Sequence, residues 1–533
     1  MSNDEFDYDR PTPIEAYENT RRWWWRLVWF LLIALLLIWF FSKEWVIAYD
    51  DEVEHFKYGS IGSEGNQGLP TPILQALPVI YKDELGDQGF AKFGLIQEEG
   101  HDLPIGFSKR IVGGIERAWL NCSVCHYGTY TLPGETTVHT LPGGASNDLD
   151  LFAFIEFFTR VGKDPGFNTN TVIAAINSDE VPGNLNFLER QLYRFAVMPL
   201  VKKEMLALSN QLEFVARQEP YGPGRVDTFN SYKVLQFGFP MGPHDISDVA
   251  LNGSSDYPSI WMQRPRAGMN LHWDGNNASV TERNFSAALG AGVSPVTVDA
   301  ESLFRIRDWI DTLEAPKFPG EINMALAETG APLFETHCAA CHGMGNADYD
   351  EQLAAYEVAM AAKETGEDHA AEALIKPTRY DYDTGKYPYL GQVVGLEEIG
   401  TDVGRWASYD QDFAAAQMGL YAGTPYRFRH FKKTDGYANH PLDGIWARSP
   451  YLHNGSVPTL RDLMNTAAER PKTWLRGARE LDLVKVGYRS DARSGGTFTY
   501  DTNVLGNGNA GHEYGTSLSD AEKDAIVEYM KTL

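Results

Sequence analysis

Positive charge is in short supply. Lys and Arg number 46 against 72 Asp and Glu, a formal net charge of −26. A surface of that sign repels phosphate, which excludes nucleic acid as a partner. It suits solubility, and it can steer a basic protein partner. Long apolar runs are as scarce. Leu27 to Phe41 (LVWFLLIALLLIWFF) is one, and no run of comparable length follows, which excludes a polytopic membrane protein. Strand signals are few and short, and no low-complexity tail or further repeat is present. Cysteine is scarcest, with four in 533 residues, and the placement of those four narrows the chemistry most.

All four lie in two copies of one pattern, Cys122-Ser123-Val124-Cys125-His126 and Cys338-Ala339-Ala340-Cys341-His342. This is the c-type haem attachment pattern: two thiols form thioethers with the haem edge, and the adjacent His becomes an axial iron ligand. A pair of disulfides, or one zinc site of four thiolates, would use the same thiols. Neither requires a His directly after each Cys-x-x-Cys. Two covalently bound haem c groups are therefore expected, held by Cys122, Cys125 and His126 and by Cys338, Cys341 and His342.

The apolar run has Trp23, Trp24 and Trp25 before it and Trp45 and Val46 after it, so the stretch approaches the ~20 residues of a bilayer span, with tryptophans at both interfaces. Arg21, Arg22 and Arg26 flank one side, and Asp50, Asp51, Glu52 and Glu54 lie beyond the other. The positive-inside bias then makes 1–22 a cytoplasmic tail and 23–46 a transmembrane signal anchor. The haem domains would stand in the periplasm, on a single-pass protein of a bacterial inner membrane. The alternative is a cleaved signal peptide, with Val46-Ile47-Ala48 as the cleavage site.

The two motifs stand far apart, so two haem domains are expected, 50–315 and 320–533. Near the boundary, apolar residues at 303, 306, 309, 310 and 313 mark one face of a helix, stopped by Glu314-Ala315-Pro316-Lys317-Phe318-Pro319-Gly320. A short helix from Ala331 to His337, with Pro332 in its first turn, leads into the second motif. Ser519 and Glu522 form a capping box for a closing helix with Ile526, Met530 and Leu533 on one face. Large insertions fall at 150–258, mostly helical in pattern and broken by Pro220-Tyr221-Gly222-Pro223-Gly224, and at 348–387, which begins with an Ala- and Glu-rich helical stretch. The expected fold is mainly α: two cytochrome c-like haem domains with large helical and loop insertions, plus one N-terminal transmembrane helix.

The sixth position on each iron decides the chemistry. Met or His there gives a low-spin electron-transfer centre, and an open position admits peroxide or dioxygen. Three histidines sit in loops that can fold over a haem face. They are His139 in Thr137–Gly144, His453 in Pro450–Ser456, and His512 in Gly508–Gly515, just before the closing helix.

The segment Ser449 to Leu463 (SPYLHNGSVPTLRDL) resembles the "PYFHDGSVxTLxEA" signature of the dihaem bacterial cytochrome c peroxidase and MauG superfamily. Leu271-His272-Trp273-Asp274-Gly275-Asn276 resembles its "FWDGR" motif, and the order of the motifs matches over most of the chain after the apolar run. Gly224 to Asn230, Glu282-Arg283-Asn284 and Gly455-Ser456-Val457-Pro458 look closest to the rubber-oxygenase-like branch. The resemblance implies Trp273 as an electron conduit between haems and His512, rather than His453, as the distal ligand of the second haem. For the first haem it implies either His139 as a distal ligand or an open iron in a pocket lined by Asn284, Phe285 and Leu289. A counterpart of the peroxidases' distal catalytic Glu is missing. A calcium ion between the domains is also implied, without ligands that can be placed.

The expected function is a membrane-anchored redox enzyme. Peroxide or dioxygen is activated at the N-terminal haem, and electrons pass through a low-spin C-terminal haem from a redox partner, a small cytochrome or a membrane complex. The alternative is a membrane-tethered electron-transfer cytochrome with no substrate chemistry.

Overall fold

The computed structural model describes residues 13–41, 44–344 and 387–533. The Ala- and Glu-rich stretch of the second insertion lies outside them. Helix, at about 42%, outweighs strand, at 12%.

Helix α1 (Pro13–Phe41) contains the apolar run. The tryptophan and valine counted toward its far end belong elsewhere: β1 (Trp45–Val46) is a strand, with Trp45 opposite Ile111 and Val46 opposite Arg110. The apolar part of α1 is thus confined to Leu27–Phe41, and Glu15, Glu18, Arg21, Arg22 and Arg26 fill the turns before it. At about 1.5 Å of rise per residue, that part falls well short of a hydrocarbon layer of about 30 Å. Among the described residues no helix is long and apolar enough to cross a membrane. This corrects the expected transmembrane helix at 23–46 and the single-pass inner-membrane placement that depended on it. The helix also begins at Pro13, inside the segment expected to be a tail.

Strands are more numerous than the sequence pattern suggested. The largest sheet is antiparallel, in the order β1, β3 (Phe107–Val112), β4 (Ile115–Leu120) and β2 (Leu69–Pro70). β3 and β4 form a hairpin with Phe107 opposite Leu120 and Val112 opposite Ile115. Its two-residue turn is Gly113-Gly114, with φ of 59° and 75°. Such a turn needs positive φ at both central positions, which glycine adopts without steric cost. β4 delivers the chain directly to the first Cys-x-x-Cys-His.

Helix α2 (Leu151–Lys163) is capped by Asp150, whose side chain accepts from the Ala153 amide. Phe154, Phe157 and Phe158 on this helix pack edge-on against Phe90, Phe93, Phe107 and Trp119, which fastens the helix to the sheet. Helix α3 (Met198–Gln211) packs on α2, with Val201 and Met205 buried in the same apolar cluster. Helix α4 (Val280–Gly290) and helix α5 (Ala300–Thr312) follow, with Leu303, Ile306 and Ile310 of α5 buried as the apolar stripe requires.

Helix α6 (Met324–His337) starts well before Ala331, because Asn323 caps it by accepting from the Leu326 amide. It crosses the closing helix α7 (Asp520–Met530), which carries the Ser519–Glu522 capping box. Gly330 marks the crossing point: a Cβ there would lie 1.9 Å from the Ala525 carbonyl oxygen. The two halves of the chain share their cores. One apolar cluster joins Phe56, Phe285 and Ile310 to Tyr409, Phe413 and Phe431. Another joins Leu141 and Trp261 to Phe334, Trp446, Ile526 and Met530.

Candidate functional site

Both Cys-x-x-Cys-His motifs open onto one cavity of about 680 Å³, whose wall includes Cys122, Cys125, His126, Cys338, Cys341 and His342. The first motif is pinned by Asn121. Its amide donates to the carbonyls of Lys57 (3.2 Å) and Gly59 (3.1 Å), and its Oδ1 accepts from the Ser123 amide at 3.0 Å. The second motif continues from α6, with the Cys338 amide bonded to Phe334 O at 2.8 Å. All four thiols are free. Burial raises their pKa values, to about 11 for Cys122 and about 12 for Cys125 and Cys338. Among the described residues no three His, Cys, Asp or Glu side chains gather as a metal site. The four thiols thus do not converge as the four-thiolate zinc alternative requires.

Each motif histidine is held in one tautomer. His126 Nδ1 donates to the Pro258 carbonyl at 2.9 Å, and His342 Nδ1 donates to the His440 carbonyl at 2.8 Å. With Nδ1 protonated, Nε2 carries the lone pair, as an iron ligand requires. Burial keeps both rings neutral, pulling His126 down to about 4 and lowering His342.

His512 faces His342. Their ring centroids are 6.2 Å apart and their planes 44° apart. Two imidazoles bound to one metal at about 2 Å each would stand about 6 Å apart centroid to centroid, so this spacing fits an iron between them. His512 Nδ1 is buried without a hydrogen-bond partner, and burial draws the ring's pKa down to about 3. The loop that carries it is caged by two buried arginines. Arg470 donates to the carbonyls of Asn509 (2.7 Å), Gly511 (2.8 Å) and His512 (3.2 Å). Arg225 donates to Asn507 Oδ1 (2.7 Å) and Gly506 O (3.1 Å). His453 lines the cavity too, but it stacks on Tyr437 at 4.1 Å.

No ring stands against His126 in this way among the described residues. His139 is not part of the cavity wall: it stacks on Tyr130 at 4.9 Å and meets Glu135 at 3.4 Å. Asn284 lines the cavity, its Nδ2 donating to Gln263 Oε1 at 3.1 Å. Phe285 and Leu289 do not. The helical phase of α4 turns Arg283, Asn284, Ala287 and Gly290 to the cavity. Phe285 faces away, against Phe304 (5.3 Å) and Tyr426 (4.8 Å), and Leu289 is buried in the same core. The expected pocket role of Phe285 is thus corrected to packing.

Trp273 is in the wall. Its Nε1 donates to Asp256 O at 3.0 Å, while the Asp256 amide donates to His453 O at 2.8 Å. Buried ion pairs brace this region: Arg405 on Asp274 at 3.1 Å, and Arg476 on Asp256. Sequence reasoning missed Arg225, Arg405, Arg470 and Arg476 as anchors, because no local pattern distinguishes a buried arginine from a surface one. It also missed Pro258 and His440, which act through their carbonyls.

The comparisons with known proteins fall on the same ground. Residues 436–475, which include the Ser449–Leu463 segment, match the RoxA-like, cytochrome c-like family. The uncharacterized protein y4iJ of Sinorhizobium fredii is 28% identical over 547 residues, covering 87% of each chain. The uncharacterized protein y4iM of the same organism is 29% identical over 308 residues, covering 52% of this chain and 64% of that one. A RoxA-like, cytochrome c-like domain is found at residues 436–475, and a cytochrome c-like domain implies a covalently bound haem c and a redox role.

Proposed function

We propose that the chain is a dihaem redox enzyme in which the two haem sites play unequal parts. The observation that carries this is the asymmetry of the cavity: His512 stands opposite His342, and among the described residues no imidazole stands opposite His126. When bound, haem c supplies an iron that exchanges single electrons and, where its sixth position is open, meets peroxide or dioxygen.

The chain's residues divide the work. Cys122, Cys125 and His126 hold the first group, and the Pro258 carbonyl fixes the His126 ring. Cys338, Cys341 and His342 hold the second, and Arg470 and Arg225 keep His512 in place across from His342. With His342 and His512 facing each other, a haem held there would serve electron transfer rather than substrate binding. Trp273 lies in the wall that both sites share, and its indole, anchored on Asp256, carries electrons between them. Asn284 offers a polar contact on the open side. The acidic surface favours a basic redox partner.

The test is to add hydrogen peroxide, and separately dioxygen, to the reduced protein by rapid mixing. In an enzyme of this kind one haem responds directly and the other is oxidised through it, and turnover continues while an electron donor lasts. Two six-coordinate haems that react with neither oxidant faster than by slow surface oxidation would make the chain an electron carrier instead.

A further inference from the structure

The helical run that leads into α3 is apolar on two sides. It begins at Phe187–Leu192, passes through a π turn at Tyr193–Val197 and continues as Met198–Gln211. One side carries Tyr193, Val197, Val201 and Met205, buried in the apolar cluster that contains Phe107 and Trp119 of the sheet. The other side carries Leu188, Leu192, Phe195 and Leu206, which share one helical phase. Among the described residues nothing covers it. Phe187, Leu188 and Phe195 are 74%, 75% and 74% exposed, and Leu192 and Leu206 are 48% and 45% exposed. Side chains exposed to that degree stand out from the surface as a ridge; they do not line a groove.

The charge here is also out of keeping with the rest of the chain. The run carries Arg190, Arg194, Lys202 and Lys203 against Glu189 and Glu204, a local excess of cations in a chain of net charge −26. Arg194, Lys202 and Lys203 are exposed, and none of them meets a carboxylate among the described residues. Glu189 is engaged at the start of the run, where its carboxylate accepts from the Asn186 amide at 2.8 Å.

A helix that is apolar on both sides calls for two apolar partners, and the core supplies one. A contiguous exposed apolar patch marks a surface for a partner, and free cations beside it select an anionic one. A protruding ridge of Phe and Leu flanked by Lys and Arg suits a soft layer with negative headgroups, into which such side chains sink by roughly 5–10 Å.

We propose that the outer face of the Phe187–Gln211 run is a docking surface for an anionic phospholipid bilayer. The run lies in the plane of the headgroups, and no segment crosses the layer. The acidic surface elsewhere does not oppose this, because charges farther off than a Debye length of about 8 Å are screened. It orients the molecule instead, turning this face alone toward the lipid.

The test uses the full chain with its haems attached, so that an introduced cysteine is the free thiol. An environment-sensitive fluorophore is placed at Phe195→Cys and, as a control, at Val484→Cys, an equally prominent valine that is 81% exposed. Each variant is first checked for the parent's haem spectrum. Vesicles of phosphatidylcholine, with and without one part in about three of phosphatidylglycerol, are then titrated in. The emission from position 195 is expected to move to shorter wavelength on the phosphatidylglycerol vesicles, far less on phosphatidylcholine alone, and that from position 484 to stay where it is. Lys202→Glu with Lys203→Glu should raise the lipid concentration for half the shift at least about tenfold. An unmoved emission at 195, an equal shift at 484, or a shift at 195 that ignores both phosphatidylglycerol and the charge reversal overturns the proposal. So does a shift without vesicles that grows with protein concentration, which would make the occupant a second copy of the chain.

Discussion

The imidazoles of His342 and His512 face each other at 6.2 Å, although one ends the second Cys-x-x-Cys-His and the other sits in the loop before the closing helix. His512 has φ of 50°, and its loop is tied down by Arg470 and Arg225. An uncommon backbone conformation, held by two buried cations, marks a position built to aim one side chain.

Replacing His512 with Ala removes that ring and leaves space beside His342. The haem attached at Cys338 and Cys341 is expected to change from low to high spin and to bind added imidazole or cyanide. Optical and EPR spectra before and after ligand addition check this. An unchanged low-spin signal would remove His512 as a ligand.

Arg470→Met tests the cage independently. It leaves the carbonyls of Asn465, Leu463, Asn509, Gly511 and His512 without their donor. A loss of about 3 kcal/mol in stability is expected, together with part of the spin change seen in His512→Ala. Urea denaturation and the same spectra decide it, and a variant as stable as the parent with an identical spectrum contradicts the cage.

Trp273→Phe keeps an aromatic ring but loses the bond to Asp256 O. A modest stability loss of about 1 kcal/mol is expected, with both haems retained and interhaem electron exchange slowed at least about tenfold. Flash photolysis or rapid mixing measures the exchange. An unchanged rate eliminates Trp273 as the conduit.

Acid should unfold the protein through its buried histidines. Burial holds His272, His440 and His453 at about 3. In the unfolded chain these rings titrate near about 6.5. Below that value the unfolded state binds protons that the native state refuses, so stability is complete above about pH 6.5 and falls as pH drops toward 4. Urea midpoints between pH 7.5 and 4.5 check the slope; a midpoint that holds constant over that window contradicts it.

The parts of this molecule that depend on local pattern could be read from the chain. The Cys-x-x-Cys-His pairs, the stripe of Leu303, Ile306 and Ile310, and the Ser519–Glu522 capping box need only neighbours in sequence. The Gly113-Gly114 hairpin is also local, a two-residue glycine turn between two short segments of mixed apolar and polar residues. The transmembrane expectation failed at Trp45 and Val46, which pair with a strand some sixty residues on. Phe285 failed by one helical step, since adjacent residues on α4 face different sides. Arg470, Arg225, Pro258 and His440 act through contacts between distant segments, which no window of sequence displays.

The most direct measurement is a low-temperature EPR spectrum of the oxidised protein, recorded alone and after hydrogen peroxide is added. An enzyme with His342 and His512 on one iron and His126 alone on the other gives one low-spin and one high-spin ferric signal, of which the high-spin signal changes with peroxide. Two low-spin signals that ignore peroxide would contradict the open site at His126.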